Sequence, residues 1–257
     1  MSFAFITAPR PAAPPKRRKV FVTGAAGKIG SHFAQQSHDR YELTLMVHPQ
    51  NRTQAIEPFG RIVTADLADL DHLKTLLAGQ DTVVHLAADP RVDAPWDSVL
   101  ANNIIGTYHL YEAARHAGCR RVIFASTIHA VEAYPPSLQI QPDHPVNPDS
   151  LYGVSKCFGE ALGRYMSTQH GLSVIAIRIG HFRPPHKMPT DPAKRNTAVD
   201  YVSSRDLIQL IQRCIDDETL RFAIVHGLSH NRFNRLSIQE TCDLLGYAPQ
   251  DDLTTTA

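Results

Sequence analysis

With 257 residues, 43% of them hydrophobic and 20% charged, the chain has the balance of a globular protein built on one core, not of a disordered or fibrous one. Lysine and arginine number 26 against 25 acidic residues, a net charge of +1, so no field points to nucleic acid, a membrane surface or a polyanion. No apolar run approaches the roughly 18 residues of a spanning helix, and Cys119, Cys157, Cys214 and Cys242 lie far apart without a C-x-x-C, which argues against a disulfide framework and a structural zinc site and makes the cytoplasm the default location.

Residues 1–18 read as a disordered, Pro/Ala-rich tail that stays outside the fold. The basic cluster Lys16-Arg17-Arg18-Lys19 follows the apolar stretch instead of preceding it, the wrong order for a secretory signal. Residues 19–257 read as a single domain. Strand-like runs at 20–22, 43–47, 61–65, 82–86, 122–125 and 173–177 alternate with helical patterns at 28–37, 69–77, 96–117 and 152–170. Gly118 and Gly171 stand where the two long helices should stop. Short strands alternating with helices, without hairpin signals, predict right-handed crossovers and a parallel sheet covered on both faces. That is an α/β doubly wound, Rossmann-like fold, with its ligand at the carboxyl ends of the strands. Residues 178–257 hold a loop rich in Pro and basic residues (182–196), a helix near 205–216, a strand at 222–225 and a helix from Ser237; they read as a small substrate-side appendage.

The string Thr23-Gly24-Ala25-Ala26-Gly27-Lys28-Ile29-Gly30 follows the first strand and opens a helix. Glycines at 24, 27 and 30 permit a tight turn and a close backbone approach to a pyrophosphate, and the helix N-terminus offers N–H donors. Gly24, Ala26, Gly27, Lys28 and Ile29 are the candidate phosphate-side residues. Asp66 and Leu67, ending the third strand, suit an adenine amine and an apolar wall, and Asp66 can at the same time cap the next helix. Leu86, Ala87 and Ala88 are small or apolar where backbone passes near ribose and nicotinamide. At the end of the second strand, an acid reads the ribose of NAD and a cation accommodates the phosphate of NADP. Here His48, Arg52 and the turn's Lys28 favour NADP over NAD.

Tyr152-Gly153-Val154-Ser155-Lys156 places a phenol and an ammonium four apart on one helix face. A phenol titrates near 10, so action as a base at neutral pH requires about 4 kcal/mol of help. A neighbouring ammonium and a positive nicotinamide ring supply help of that sign. A hydroxyl from the end of the fifth strand, Ser126 or Thr127, is the expected third member that holds the substrate oxygen. His226 and His230 are four apart, but Gly227 lies between them and no acidic residue completes a metalloprotease pattern, so no metal is expected.

Together these strings resemble the extended short-chain dehydrogenase/reductase family over about residues 20–230. The pieces are TGAAGKIG, Asp66-Leu67, HLAA at 85–88, Asn103-Ile104-Ile105-Gly106-Thr107, Phe124-Ala125-Ser126-Thr127 and YGVSK. The resemblance implies that Tyr152 is the catalytic acid/base, Lys156 its ribose-binding partner and Thr127 the catalytic hydroxyl. It also gives Asn103, among the cofactor-side candidates, a structural role in the helix beside the site, and puts Ile179 on the cofactor wall. A narrower likeness, through Trp96-Asp97, Leu110 to Arg115, Pro148 to Glu160 and Ile177-Arg178-Ile179-Gly180, is to the uronate dehydrogenases. These oxidise the anomeric hydroxyl of a hexuronic acid to an aldonolactone with NAD. The departures fall where substrate is read. Thr127-Ile128-His129 replaces that group's Ser-Asn-His, and His181 replaces its Ser, so Thr127, Ile128, His129 and His181 are the candidate substrate residues. The aliphatic Ile128 suggests a less hydroxylated substrate, and Lys187 or Arg195 are the candidates for a carboxylate-binding cation. The implied activity is NAD(P)-dependent hydride transfer to or from a sugar-like or uronate-like substrate, in a homodimer or higher homo-oligomer. A sugar epimerase/dehydratase with a tightly held cofactor and a non-catalytic dinucleotide sensor are the alternatives.

Overall fold

The computed structural model describes residues 5–7, 17–184 and 199–252. Ten strands and seven helices are used below: β1 (Phe5–Thr7), β2 (Lys19–Thr23), α1 (Lys28–Ser37), β3 (Glu42–Val47), β4 (Arg61–Thr64), α2 (Leu70–Leu77) and β5 (Thr82–His85). After them come α3 (Trp96–Ser98), α4 (Gly106–His116), β6 (Arg121–Thr127), α5 (Leu151–His170), β7 (Ser173–Ile179) and β8 (His181–Phe182). The described chain closes with β9 (Tyr201–Val202), α6 (Ser204–Asp216), β10 (Leu220–Gly227) and α7 (Gln239–Leu245). The main sheet runs β1-β10-β7-β6-β5-β2-β3-β4. Its seven strands from β10 to β4 are parallel, as expected for strands joined by helical crossovers.

The chain leaves β2 in one direction through β3 and β4, then returns to build β5, β6, β7 and β10 on the other side. The β2/β5 boundary is therefore the switch point, where crevices form at the carboxyl ends of strands. One face of the sheet packs on α1 and α6 through Val20, Phe33, Leu45, Ile175, Leu207 and Ile211. The other packs on α2, α4 and α5 through Phe21, Leu73, Val83, Leu110, Tyr111 and Met166. The strands between are buried on both faces, which is why they read as continuous apolar runs.

Three expectations need correction. The region 1–18 is not wholly outside the fold. Phe5–Thr7 pairs antiparallel with β10, whose unpaired edge otherwise leaves backbone groups unmatched. Arg18 is buried and forms ion pairs with Asp81 and Glu218, while Arg17 donates to the carbonyl oxygens of His38 and Tyr41, so half of the basic cluster is structural. Second, residues 178–257 are not only a substrate-side appendage, because β10 extends the sheet and α6 seals its face. Third, the helix expected over 96–117 is interrupted: between α3 and α4, residues Val99–Ile105 form a π-helical segment. Such segments insert one residue per turn and re-aim side chains, often beside functional sites.

Candidate active site

A cavity of about 730 Å³ runs from the glycine turn after β2 to the N-terminus of α5. Its first wall is set by close backbone contact. Gly24 has φ +66°, and a Cβ there would lie 2.8 Å from the amide nitrogen of Ala87, so only glycine lets the turn cross the end of β5. The crossing is pinned by Thr23, whose hydroxyl oxygen accepts from the N–H groups of Leu86 and Ala87 at 3.2 Å each. His85 bridges Thr23 (2.8 Å) and Thr107 (3.3 Å), and burial pushes its imidazole down to about 3, so this buried ring stays neutral. Gly27 caps α1 without a side-chain hydrogen bond, and the helix has no acid in its first turn. Its N–H groups and positive dipole end thus suit an anionic group such as a pyrophosphate.

The sequence-derived cofactor residues Gly24, Ala26, Gly27, Lys28, Ile29, His48, Asp66, Leu67, Leu86, Ala87, Ala88, Tyr152, Lys156 and Ile179 all line this cavity. Two do not. Arg52 is exposed and away from the wall, where Asn51 stands instead. Asn103 is buried behind it, donating to the Asp89 carbonyl oxygen at 3.0 Å and the Ser155 hydroxyl at 3.1 Å while accepting from Asp89 N–H at 2.8 Å. Its amide knits the π segment to α5, and its neighbour Asn102 lines the cavity. The helix cap expected of Asp66 also fails, since Asp69 accepts from His72 N–H and caps α2. Asp66 lies 3.9 Å from His48, so the charge at this edge is mixed and the argument for NADP loses both Arg52 and a uniformly positive surface.

The chemical end is built by α5. Ser150 caps it by accepting from Gly153 N–H at 3.1 Å. A Cβ on Gly153 would sit 2.3 Å from the His129 carbonyl oxygen, so this glycine lets the helix start press against the turn Ile128–Ala130 that follows β6. That contact sets Tyr152 beside Thr127, whose hydroxyl is near enough to favour the charged phenol. The two sequence candidates for the hydroxyl are now separated. Ser126 donates to Glu160 at 2.6 Å, in a buried network where Glu160 receives Arg178 through two bonds of 2.9 Å. Thr127 alone acts on the phenol.

The protonation balance differs from the expectation that the ammonium lowers the phenol. Burial pushes Tyr152 above its ordinary value, with the Thr127 hydroxyl opposing it. Lys156 is 3% exposed, and burial pulls it down to about 7. Its Nζ lies 4.9 Å from the Phe124 ring centre and 5.6 Å from that of Tyr152. Desolvation, disfavouring charge on both groups, dominates here.

On the substrate side, His129 and His181 line the cavity with ring centres 6.2 Å apart, and His129 meets Tyr152 edge to face at 5.9 Å. Ile128 is 1% exposed and packs with Val131, Ile140, Leu228 and Leu236. It both anchors the turn and, with Thr127 and His129, lines the cavity. Lys187 and Arg195 lie outside the described residues. Sequence reasoning missed Asn51, Asn102, Gly180 and Phe182 on the wall, and the carboxylates of Asp149 and Asp200 behind the histidines. Asp149 stands in the stretch Pro148 to Glu160 that carries the narrower likeness, whereas nothing local marks Asp200.

The model of the NAD dependent epimerase/dehydratase family matches residues 20–212. The chain belongs to this family. Within it, the chain is 36% identical over 248 residues to an NAD-dependent glucose-6-phosphate dehydrogenase of Haloferax volcanii, covering 91% of this chain and 93% of that protein. It is 35% identical to an L-arabinose 1-dehydrogenase (NAD(P)(+)) of the same organism, over 92% and 98% of the two chains. The crystal structure of uronate dehydrogenase from Agrobacterium tumefaciens superposes with a TM-score of 0.81 at 33% identity, covering 92% of this chain and 86% of that one. The family's doubly wound architecture is the one described above.

Proposed function

We propose that this protein is an NAD(P)-dependent sugar dehydrogenase of the extended short-chain type, acting on the anomeric hydroxyl of an aldose or acidic sugar. The observation that carries the reading is the grouping of Tyr152, Thr127 and buried Lys156 at the far end of a cavity that begins on an uncapped helix N-terminus. The uncapped N–H groups of α1, the small residues Ala87 and Ala88 and the carboxylate of Asp66 fit the pyrophosphate, ribose and adenine of a dinucleotide. When bound, the nicotinamide supplies the hydride-transfer chemistry.

Tyr152 takes the proton of the substrate hydroxyl in oxidation and returns it in reduction, while Thr127 orients that oxygen by hydrogen bonding. Lys156 Nζ lies 5.6 Å from the centre of the Tyr152 ring, so when charged it favours the phenolate. The relatives' names, two sugar dehydrogenases and a uronate dehydrogenase, favour this reading over an epimerase. With His48 and Asp66 sharing the ribose edge, its charge favours neither phosphate form of the cofactor. Tyr108 on α4 and Val154 and Tyr165 on α5 are left exposed and would be covered in a homodimer formed through these helices. No described helix is long and apolar enough to cross a membrane, and four free cysteines suit a reducing cytoplasm.

The test is Tyr152→Phe assayed by nicotinamide absorbance on a panel of uronates, sugar phosphates and neutral aldoses. Turnover should fall by about 100-fold or more, with dinucleotide binding retained. Undiminished turnover would refute the assignment.

A further inference from the structure

His129 and His181 are each backed by a carboxylate. The Nδ1 atom of His129 lies 3.1 Å from Asp149, and that of His181 lies 3.0 Å from Asp200. Neither aspartate lines the cavity, whereas both rings do, so Nε2 is the ring nitrogen left for a ligand. The His181–Asp200 pair is held by backbone as well. His181 N–H donates to the Asp200 carbonyl oxygen at 2.7 Å, and strand β8 pairs with β9 at His181↔Tyr201. We propose that His181, held by Asp200, is the cation that selects an acidic oxygen group on the sugar, a carboxylate or a phosphate monoester, and that its protonation governs how tightly such substrates bind. The proposal rests on the dehydrogenase reading and adds to it the class of substrate and the residue that reads it.

Three arguments support this role. An imidazole whose Nδ1–H is given to a carboxylate presents an acceptor at Nε2 when neutral and a charged donor when protonated. An acidic oxygen requires the donor form. The bond to Asp200 raises His181 above its ordinary value against the cost of burial, with Asp200 and Glu132 adding in the same direction and Arg183 opposing. The other charged or titratable groups around the pair are Arg235, which acts on Asp200, and His129 with Asp149 across the cavity. Finally, the His181 side chain is 47% exposed, so it exchanges protons with solvent and stands at the mouth, where the far end of a sugar would lie.

The test measures KM from about pH 6 to 9 for a hexuronate, a hexose 6-phosphate and the matching neutral hexose, with a parallel thermal-shift titration of each sugar in the presence of dinucleotide. For the acidic sugar, KM should rise about 10-fold or more as His181 deprotonates, the worth of one charged hydrogen bond, while the neutral hexose shows no such rise. The acidic sugar whose KM moves identifies the group that is read. His181→Gln should leave a weak, pH-independent KM for acidic sugars. His181→Lys should restore the acidic preference without the pH dependence, and Asp200→Asn should move the transition to lower pH. Equal KM values for acidic and neutral sugars at every pH, or a pH dependence that survives in His181→Gln, would overturn the inference and leave the dehydrogenase reading standing. No turnover of any sugar would remove that reading, and this inference with it.

Discussion

Replacing Lys156 by Met separates what this side chain does for chemistry from what it costs the fold. Lys156 is buried, and its pKa is carried from 10.5 to about 7 by desolvation alone. That displacement corresponds to about 5 kcal/mol of lost solvation for the charged form. Because the folded value lies below the unfolded one, the penalty is fully present below about pH 7 and fades as pH rises toward 10.5; at pH 7 it is about 4 kcal/mol. Two contacts offset it, the faces of Phe124 and Tyr152 at 4.9 and 5.6 Å. Losing these cation–π contacts costs about 1–2 kcal/mol. The net expectation at pH 7 is that Lys156→Met is more stable by about 2–3 kcal/mol, roughly 4–12 °C in Tm for a domain of this size, while its turnover collapses. Thermal melts of both proteins at pH 7 and near pH 10, without dinucleotide, read the effect directly. The gain should shrink as pH rises. A variant that melts below the parent at pH 7, by a margin independent of pH, would show that packing and not desolvation governs this site.

Three further outcomes follow from the same geometry. In the oxidative direction with a neutral sugar, kcat/KM should still be rising above about pH 9, because the base is the Tyr152 phenolate and burial pushes that phenol above its ordinary value; a profile already level below about pH 8 would show that bound dinucleotide reverses this push. Glu160→Gln should cost about 3–5 kcal/mol, read by urea unfolding, because it leaves Arg178, 1% exposed, without the carboxylate that holds it; a loss below about 1 kcal/mol would mean that the guanidinium finds other partners. Arg52→Ala should leave the ratio of KM values for NADP and NAD unchanged, since Arg52 is off the cavity wall; a marked fall in NADP affinity would return it to the site.

Much of this architecture was legible because it is local. Helix α1 occupies the stretch 28–37 expected from the glycine turn, and α5 starts one residue before Tyr152 and stops at Gly171, whose φ of +72° closes it as a left-handed cap does. The illegible parts depend on contacts between distant residues. Strand β1 pairs with β10 more than two hundred residues away, and three residues carry too little pattern to announce it. Ile128 lines the cavity, but its place in the motif does not show that it also packs into a satellite core completed by Leu228 and Leu236. Asp200 has no motif around it, and only the pairing of β8 with β9 brings it behind His181. The direction of the Tyr152 and Lys156 shifts was out of reach for the same reason. Spacing shows that the two groups are neighbours, but only the folded surroundings show that both are dry.

The stripe on α5 explains how a buried ion pair serves a site it does not touch. Tyr152, Lys156 and Glu160 recur every four residues, so they share one helix face, turned toward β6 and β7. At the far end of that stripe Glu160 accepts from Ser126 and from Nε and Nη2 of Arg178, which ties α5 to β6 and to β7 at once. At the near end Gly153 seats the helix against the His129 carbonyl oxygen. With both ends fixed, the rotation of α5 about its own axis is fixed too, and with it the meeting of Tyr152 and Thr127. Ser126 and Thr127 are successive residues of one strand and therefore face opposite sides of the sheet's pleat. One hydroxyl is spent on holding the helix and the other is left to act on the phenol. A serine and a threonine that look interchangeable in sequence thus receive separate roles from the alternation of a β-strand.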